Sequence, residues 1–153
     1  FQKILSENKN ILPITHPDMT RFWITLDQGV EFVLQSFKRM IGGEIFIPII
    51  PSIKITDLAK SMGTNIKTKI IGVRPGEKIH ELLCSADESQ NVRKLKSHLV
   101  MIPSYTQNAF NKKYINNLGE KGITVKKNFE YNSGTNKNFL KISDIKKLNN
   151  KIS

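Results

Sequence analysis

The sequence lacks most of the features by which membrane, secreted and metal-binding proteins are recognised. Its one cysteine, Cys84, cannot form a disulfide within the chain and has no companion metal ligands nearby. No apolar run approaches the ~20 residues that a membrane-spanning helix needs, and the N-terminus has no signal-peptide pattern. These absences predict a soluble protein of a reducing compartment, the cytoplasm.

Phosphate-binding glycine loops and catalytic pairs are missing as well. Neither G-x-x-G-x-x-G nor G-x-G-x-x-G occurs, and the pair Gly42-Gly43 follows a predicted helix instead of opening one. None of the tyrosines is followed by lysine at the fourth position, so the Y-x-x-x-K couple of short-chain dehydrogenases is absent from this chain. The histidines show no metal-ligand spacing and are predicted to be surface or capping residues: His16, His80 and His98.

Positive charge is abundant but dispersed. Lysine and arginine number 24 against 13 acidic residues, a formal net charge of +11. Such a balance can indicate a nucleic-acid or anionic-surface partner. However, the sequence has no long block of like charges, no Cys/His finger and no aromatic-basic RNA-binding motif. We therefore interpret most of these lysines as solvated, and keep a basic nucleic-acid-binding module and a phosphorylated small ligand as alternatives.

Hydrophobic periodicity predicts a small α+β protein made of short elements. The clearest is a helix over residues 26–41, with Thr25 and Gln28 as a capping box and Gly42 as its stop. Strands are predicted within 44–50, 68–73 and 97–103, and helices within 57–63, 77–85 and 144–152. In chain order we expect a helix leading in over 1–12, a ligand-binding core over 13–102, and a loop-rich tail with a terminal helix over 103–153.

The segment VRPGE contains a first candidate site. A residue before proline is held extended, so Arg74 should end a strand with its side chain projecting beyond it. Pro75 and Gly76 suit the central positions of a type II turn, because glycine accepts the positive φ required there. Glu77 would then lie in the first turn of a helix, where an anion is favoured. This is either a well-capped turn or a site that binds a diphosphate through the guanidinium and a ribose through the carboxylate.

A second candidate is Arg21 in the segment DMTRFWITLDQ. It is a lone cation in a stretch otherwise suited to burial, and two aromatic residues, Phe22 and Trp23, follow it directly. Such an arginine can stack on an aromatic ring or pair with a local acid, here Asp18 or Asp27. It can equally be a second phosphate clamp. The residues alone leave both interpretations open.

Three segments together resemble a known family: residues 13–62, KIIGVRPGEKIHELL and FEYNSGTNKNFL. They are similar to the C-terminal portion of the inverting UDP-N-acetylglucosamine 4,6-dehydratases, extended short-chain dehydrogenase/reductases that open the pathway to pseudaminic acid. The resemblance implies a small substrate-binding domain without the N-terminal Rossmann domain, which in that family carries NADP and the catalytic residues. It implies an NADP-dependent lyase for surface or flagellar glycans, homo-oligomeric at full length, of which this chain alone would bind no cofactor and be inactive.

The resemblance also assigns roles to individual residues. Arg21 and Arg74 would clamp the diphosphate of the substrate, UDP-N-acetylglucosamine, and Glu77 would hold the uridine ribose. Thr15 would line the uracil pocket, and Asn136 would contact the nucleotide. No catalytic, cofactor-binding or metal-binding residue is carried over to this chain.

The sequence departs from the family at two positions beside Thr15. His16 stands where the family usually has aspartate, and Asp18 stands where arginine is common. The nearest alternatives within the same chemistry are a capsule-type 4,6-dehydratase/5-epimerase and a sugar-nucleotide epimerase. The alternative from another class is the basic nucleic-acid-binding module.

Overall fold

The computed structural model describes residues 1–7, 10–104 and 113–152. They fold as a mixture of helices and strands, which confirms the predicted mixed class, but in two compact units and not one. Each unit is assembled from segments that are distant in sequence, and local periodicity cannot show that. Unit 1 comprises Phe1–Trp23, Pro51–Glu81 and Ser133–Ser153, and unit 2 comprises Ile24–Ile50 and Leu82–Asn132.

The elements of both units are short, as the hydrophobic periodicity predicts. No helix of the described residues is long and apolar enough to cross a membrane. In chain order the elements are α1 (Gln2–Ser6), β1 (Ile11–Ile14), β2 (Thr20–Phe22), α2 (Leu26–Arg39), β3 (Ile45–Pro48), β4 (Ser52–Lys54), α3 (Ile55–Ser61), β5 (Lys67–Ile70), β6 (Leu82–Cys84), a 3-10 turn (Ser89–Asn91), β7 (Val92–Lys94), β8 (His98–Met101), β9 (Tyr114–Ile115), β10 (Lys121–Thr124), β11 (Tyr131–Asn132) and α4 (Ile142–Ile152).

Unit 1 is built around two strand pairs. Strand β1 runs parallel to β5, and β2 runs antiparallel to β4. Burial alternates along β1, so Leu12 and Ile14 point into a core that they share with Ala59 of α3. Helix α1 contributes Ile4 and Leu5 to the same core. Of the entry helix predicted over 1–12, only Gln2–Ser6 is helical, and Ile11 and Leu12 belong to β1.

Unit 2 is an antiparallel sheet with helix α2. The strands follow the order β3-β8-β7-β10-β9, and the core beneath them contains Leu95, Val100, Ile102 and Tyr114. Strand β6 pairs separately with β11. Strands β9, β10 and β11 lie in a region predicted to be mostly loop; they are short, and most of residues 113–132 lies outside them. Residues 105–112 lie outside the described part of the chain.

Of the predicted helices, α2 agrees best with the structure, and the helix predicted over 77–85 agrees least. The capping box of α2 is confirmed, because Gln28 N donates to Thr25 Oγ1 at 3.3 Å and Thr25 N donates to Gln28 Oε1 at 3.0 Å. The helix predicted over 77–85 is wrong. Its last part is β6, where Cys84 lies opposite Tyr131 of β11, and this long-range pairing overrides the local helical pattern. Cys84 is a buried free thiol.

Candidate functional site

The segment from Arg74 to Glu77 forms a closed turn. Glu77 N donates to the Arg74 carbonyl at 3.0 Å, and Gly76 has φ +78°, so the type II turn is confirmed. The Glu77 carboxylate does not cap a helix. Its Oε2 accepts the Arg74 backbone N–H at 3.1 Å, which closes the turn a second time. The turn therefore presents an exposed Arg74 side chain from a doubly hydrogen-bonded backbone.

The sequence predicts that the turn lies at the end of a strand, but in the structure it does not. Strand β5 ends at Ile70, and one more hydrogen bond follows, from Ile71 N to the Ile14 carbonyl at 2.9 Å. Gly72 then takes φ +86°, a left-handed conformation that diverts the extended chain. Arg74 consequently lies in a loop beyond the sheet. The prediction that Arg74 ends a strand is therefore wrong, because residues 71–73 separate it from the end of β5.

Arg21 is held on β2 by partners that are remote in sequence. Its Nη1 donates to the Thr20 carbonyl at 2.7 Å and to the Ile79 carbonyl at 3.2 Å. Its Nε lies 3.7 Å from Glu81 Oε1, so its acidic partner is Glu81 and neither of the two nearby aspartates. These contacts fix the guanidinium beside residues 79–81, which follow directly after the Arg74 turn.

A network of buried hydroxyl groups attaches residues 79–81 to β2. Thr20 Oγ1 lies 2.8 Å from His80 Nδ1 and 2.7 Å from Ser133 Oγ. Ser133 Oγ also accepts the Glu81 backbone N–H at 2.8 Å, and Glu81 Oε2 accepts the Phe22 N–H at 2.8 Å. The prediction of His80 as a surface or capping residue is therefore wrong, because its ring is half-buried and bonded to a strand.

Sequence reasoning did not identify this network, although one signal for it exists. Gly134 follows Ser133, and a Cβ atom at that position would lie 2.6 Å from His80 Nδ1. Only a residue without a side chain fits so close to the imidazole. A glycine beside a serine in the segment NSGTN thus marks the close approach of His80. The approach itself becomes visible only in three dimensions.

Thr15 and Asn136 have other partners. Thr15 Oγ1 lies 3.2 Å from Met19 Sδ, and Asn136 Nδ2 donates to Ser52 Oγ of β4 at 3.0 Å. Close to Thr15, the His16 ring accepts the Asp18 backbone N–H at 3.2 Å, so the two departures from the family form one local contact.

The five candidate residues all belong to unit 1. The turn brings Arg74 and Glu77 together, and the contacts of Arg21 attach it to the segment that follows them. Thr15 and Asn136 are fixed by other contacts of the same unit. The unit thus contains two arginines and one glutamate on segments that hydrogen bonds hold in place.

Unit 2 contains a second set of polar contacts with a structural role. Glu120 accepts from Arg39 Nε at 2.7 Å and from Asn116 Nδ2 at 2.6 Å, and these bonds hold the pKa of Glu120 below its ordinary value. They fasten the end of α2 to β10. His98 is buried against Phe32, so its prediction as a surface or capping residue is wrong.

The described residues show neither a cluster of metal ligands nor a glycine loop that leads from a strand into a helix. No group of three or more His, Cys, Asp or Glu side chains among them could hold a metal ion. A dinucleotide requires a glycine loop that leads from a strand into a helix. The pair Gly42-Gly43 instead leads from α2 toward β3. NADP binding by another part of a longer protein therefore stays a prediction.

Comparison with known proteins agrees with the motifs. A profile described as polysaccharide biosynthesis protein matches residues 1–103. The chain belongs to this family. Over 140 residues it is 50% identical to the UDP-N-acetylglucosamine 4,6-dehydratase (inverting) of Campylobacter jejuni subsp. jejuni serotype O:2, and 47% identical to that of serotype O:23/36. Each match covers 89% of this chain and 41% of the relative.

A solved structure has a similar fold over nearly the whole of this chain. The X-ray structure of Pen from Bacillus thuringiensis matches with a TM-score of 0.77 at 27% identity, covering 99% of this chain and 45% of that one. The chain therefore spans less than half the length of these relatives. The resemblance to the C-terminal portion of the inverting dehydratases is confirmed, and none of these matches points to nucleic-acid binding.

Proposed function

We propose that this chain is the UDP-sugar-binding part of an NADP-dependent UDP-N-acetylglucosamine 4,6-dehydratase that inverts C5. The observation that supports this is the 50% identity to the Campylobacter jejuni protein of that name across 89% of the chain. Because the chain spans 41% of that relative, the proposal assigns nucleotide binding to it. The redox chemistry and NADP belong to a Rossmann domain in the remainder. A cytoplasmic location and a role in pseudaminic acid synthesis form part of the same proposal.

The proposed binding mode uses the turn and Arg21. The planar guanidinium of Arg74 binds the diphosphate through paired hydrogen bonds, and the guanidinium of Arg21 provides a second contact. In Glu77, Oε2 already accepts the Arg74 N–H, which leaves Oε1 to accept a ribose hydroxyl. Thr15 and Asn136 complete the nucleotide contacts. Holding the diphosphate is this chain's contribution to the dehydration, and no proton-transfer residue is assigned to it.

Titration calorimetry of the chain with UDP tests the binding mode. Replacing Arg74 with alanine removes charge-assisted hydrogen bonds, so the affinity should fall by about 10-fold or more. Lys78→Ala is the matched control, because it removes one positive charge from an exposed position in the same loop. Its effect should stay within about twofold, as expected for a screened surface charge.

Glu77→Gln separates the ribose contact from the turn. The glutamine oxygen can still accept the Arg74 N–H, so the turn should persist while the carboxylate charge is lost. Affinity for UDP should then fall more than affinity for pyrophosphate, which has no ribose. Equal losses with Arg74→Ala and Lys78→Ala would contradict the clamp and indicate non-specific anion binding. A steep decrease of DNA affinity with salt would instead support the nucleic-acid alternative.

The activity itself is tested in two steps. The chain incubated with NADP and UDP-N-acetylglucosamine should yield no 4-keto product, and any turnover would contradict the assignment of catalysis to the remainder. A full-length chimera, with this chain in place of the corresponding part of the Campylobacter jejuni serotype O:2 enzyme, should yield the 4-keto-6-deoxy product inverted at C5. Retention at C5 in the chimera would contradict the inverting assignment, and simple C4 epimerisation would favour the epimerase alternative.

A further inference from the structure

Residues 79–81 pair with β2 and contribute to the position of Arg21. Thr20 N donates to the Ile79 carbonyl at 3.0 Å, as in a pair of strands. The same carbonyl accepts Arg21 Nη1 at 3.2 Å. An oxygen that holds the guanidinium therefore lies on this segment, so a displacement of the segment would displace Arg21 as well.

Ser133 fastens the same segment from a position far along the chain. It is fully buried, and it bonds to both polar groups of the Glu81 backbone. Ser133 N donates to the Glu81 carbonyl at 2.8 Å, and Ser133 Oγ accepts the Glu81 N–H at 2.8 Å. The same Oγ lies 2.7 Å from Thr20 Oγ1 on β2. One serine thus joins the segment to the strand that carries Arg21.

The direction of the hydrogen bonds in this network follows from the hydrogens that each group carries. Ser133 Oγ accepts the Glu81 N–H, and its own hydroxyl hydrogen has one acceptor among the described residues, Thr20 Oγ1. The Thr20 hydroxyl then donates to His80 Nδ1 at 2.8 Å. In the reverse direction the hydroxyl hydrogen of a fully buried serine would have no acceptor, which is costly. The network therefore assigns the hydrogen of the His80 ring to Nε2.

Arg21 keeps one nitrogen for a ligand. Its Nη1 donates to the carbonyls of Thr20 and Ile79, and its Nε faces Glu81 Oε1 at 3.7 Å. Its Nη2 donates to no residue in the described part of the chain, and the side chain is 24% exposed. Arg21 can therefore offer its Nη2 to an anion without giving up any contact that holds it.

We propose that Thr20 and Ser133 are positioning residues for substrate binding, which act through residues 79–81 to hold Arg21 so that its Nη2 meets one oxygen of the diphosphate. Thr20 is 3% exposed and Ser133 0%, so neither touches the ligand and both act through Arg21. The inference rests on the proposed function, because the diphosphate is the ligand assigned there. It adds that Arg21 is in position before the ligand arrives and makes a single contact, not a paired one.

Thr20→Val and Thr20→Ser are the matched pair that tests the role of the hydroxyl. Valine keeps the shape of threonine without its hydroxyl, whereas serine keeps the hydroxyl. In titration calorimetry with UDP, Thr20→Val should lower the affinity by about fivefold or more, the equivalent of one lost hydrogen bond, and Thr20→Ser should recover it to within about twofold. Neither substitution changes the charge, so a loss cannot result from long-range electrostatics.

Two further variants separate positioning from general destabilisation. Ser133→Ala breaks the same network from its other end and should lower the affinity for UDP as Thr20→Val does. Ser61→Ala is the control, because Ser61 is buried in the same unit and its Oγ donates to the Leu58 carbonyl at 2.6 Å, outside the network. Its melting temperature should fall, but its affinity for UDP, measured well below the melting temperatures of all variants, should stay within about twofold of the unsubstituted chain.

NMR of the chain without ligand gives a readout that a merely stabilising role would not change. At pH 7.5 the nitrogen chemical shifts of the His80 ring should show a hydrogen on Nε2 and none on Nδ1; a hydrogen on Nδ1 would contradict the network. The heteronuclear NOE of the Arg21 Nε–H should be close to backbone values. In Thr20→Val it should decrease toward the value for Arg74, whose side chain is exposed. The NOE of Arg74 itself should stay the same.

The outcomes separate this inference from the proposed function. Equal affinity of the unsubstituted chain, Thr20→Val and Ser133→Ala for UDP would overturn the inference and leave the proposed function standing. Equal losses in Thr20→Val and Thr20→Ser would assign the effect to packing, and an equal loss in Ser61→Ala would assign it to stability; either result contradicts positioning. If the unsubstituted chain binds no UDP, the proposed function fails, and an unchanged Arg21 NOE in Thr20→Val would then overturn the positioning as well.

Discussion

At the residue scale, buried polar side chains in this protein find partners that are distant in sequence. Thr20, Ser133 and His80 satisfy one another within unit 1, as buried polar groups generally must. His98 in unit 2 is different. Its Nδ1 lies 3.2 Å from Ser97 Oγ, but its buried Nε2 has no hydrogen-bond partner among the described residues. That atom is the least well satisfied part of the unit 2 core.

His98 should make stability depend on pH. Burial, assisted by the charge of Arg39 and opposed by Glu120, holds the pKa of His98 below its ordinary value. The unfolded chain takes up a proton near pH 6.5 while the folded chain does not, so stability is fully present above about pH 6.5 and is lost as pH falls below it. His98→Leu should reduce this acid-dependent loss by at most about 1.4 kcal/mol per pH unit.

Thermal melts at pH 7.5, 6.0 and 5.0 check the His98 prediction. At pH 7.5 the leucine variant should melt at or above the temperature of the unsubstituted chain, because it buries no unpaired nitrogen. As pH decreases, the difference between the two melting temperatures should widen in favour of the variant. Parallel curves at all three values would show that His98 does not cause the pH dependence.

At the element scale, the sequence predicted correctly those features that depend on contacts between residues close together in the chain. The type II turn at Gly76 and the capping box of Thr25 and Gln28 each depend on bonds that close within three residues, and both predictions are confirmed. The helix predicted over 77–85 is wrong because β6 is held by β11, with Tyr131 opposite Cys84. Pairing over that sequence distance leaves no trace in a local window.

The cap should matter more to α2 than to an ordinary surface helix. A helix without any buried residue obtains little stability from packing, so its N-terminal hydrogen bonds contribute a larger share. Thr25→Ala should cost about 1 kcal/mol of helix stability. Amide hydrogen exchange in α2 should accelerate roughly fivefold. Thr64→Ala, at an exposed position in unit 1, is the control and should leave exchange in α2 unchanged.

At the scale of the whole molecule, the residues singled out above are distributed over two units. Every residue that the family resemblance assigns to the nucleotide lies in unit 1, whereas the exposed face of α2 and the His98 core lie in unit 2. The proposed ligand site can therefore be tested separately from unit 2. Residues 13–102, predicted as one ligand-binding core, contribute to both units; their role in ligand binding stays a prediction.

Hydrogen exchange with and without UDP should display this division. Binding to Arg74 and Arg21 should slow exchange in residues 71–81 and 19–23 of unit 1, because the turn and β2 lose local opening when a ligand bridges them. Exchange in residues 92–101 of unit 2 should not change. Protection restricted to unit 2 would place the ligand elsewhere and contradict the assigned residues.

Short-range signals were sufficient to predict the turn, the cap of α2, the mixed helix and strand content and the family resemblance, since each depends on neighbouring residues or on quoted motifs. Three-dimensional contacts were needed to establish that Glu81 pairs with Arg21, that Ser133 and His80 anchor the segment after the turn, that residues 82–84 form a strand, and that the apolar face of α2 is exposed. The cause is common to all four. These outcomes depend on which distant segments meet, and a local pattern specifies that a surface is apolar or charged without specifying what will cover it.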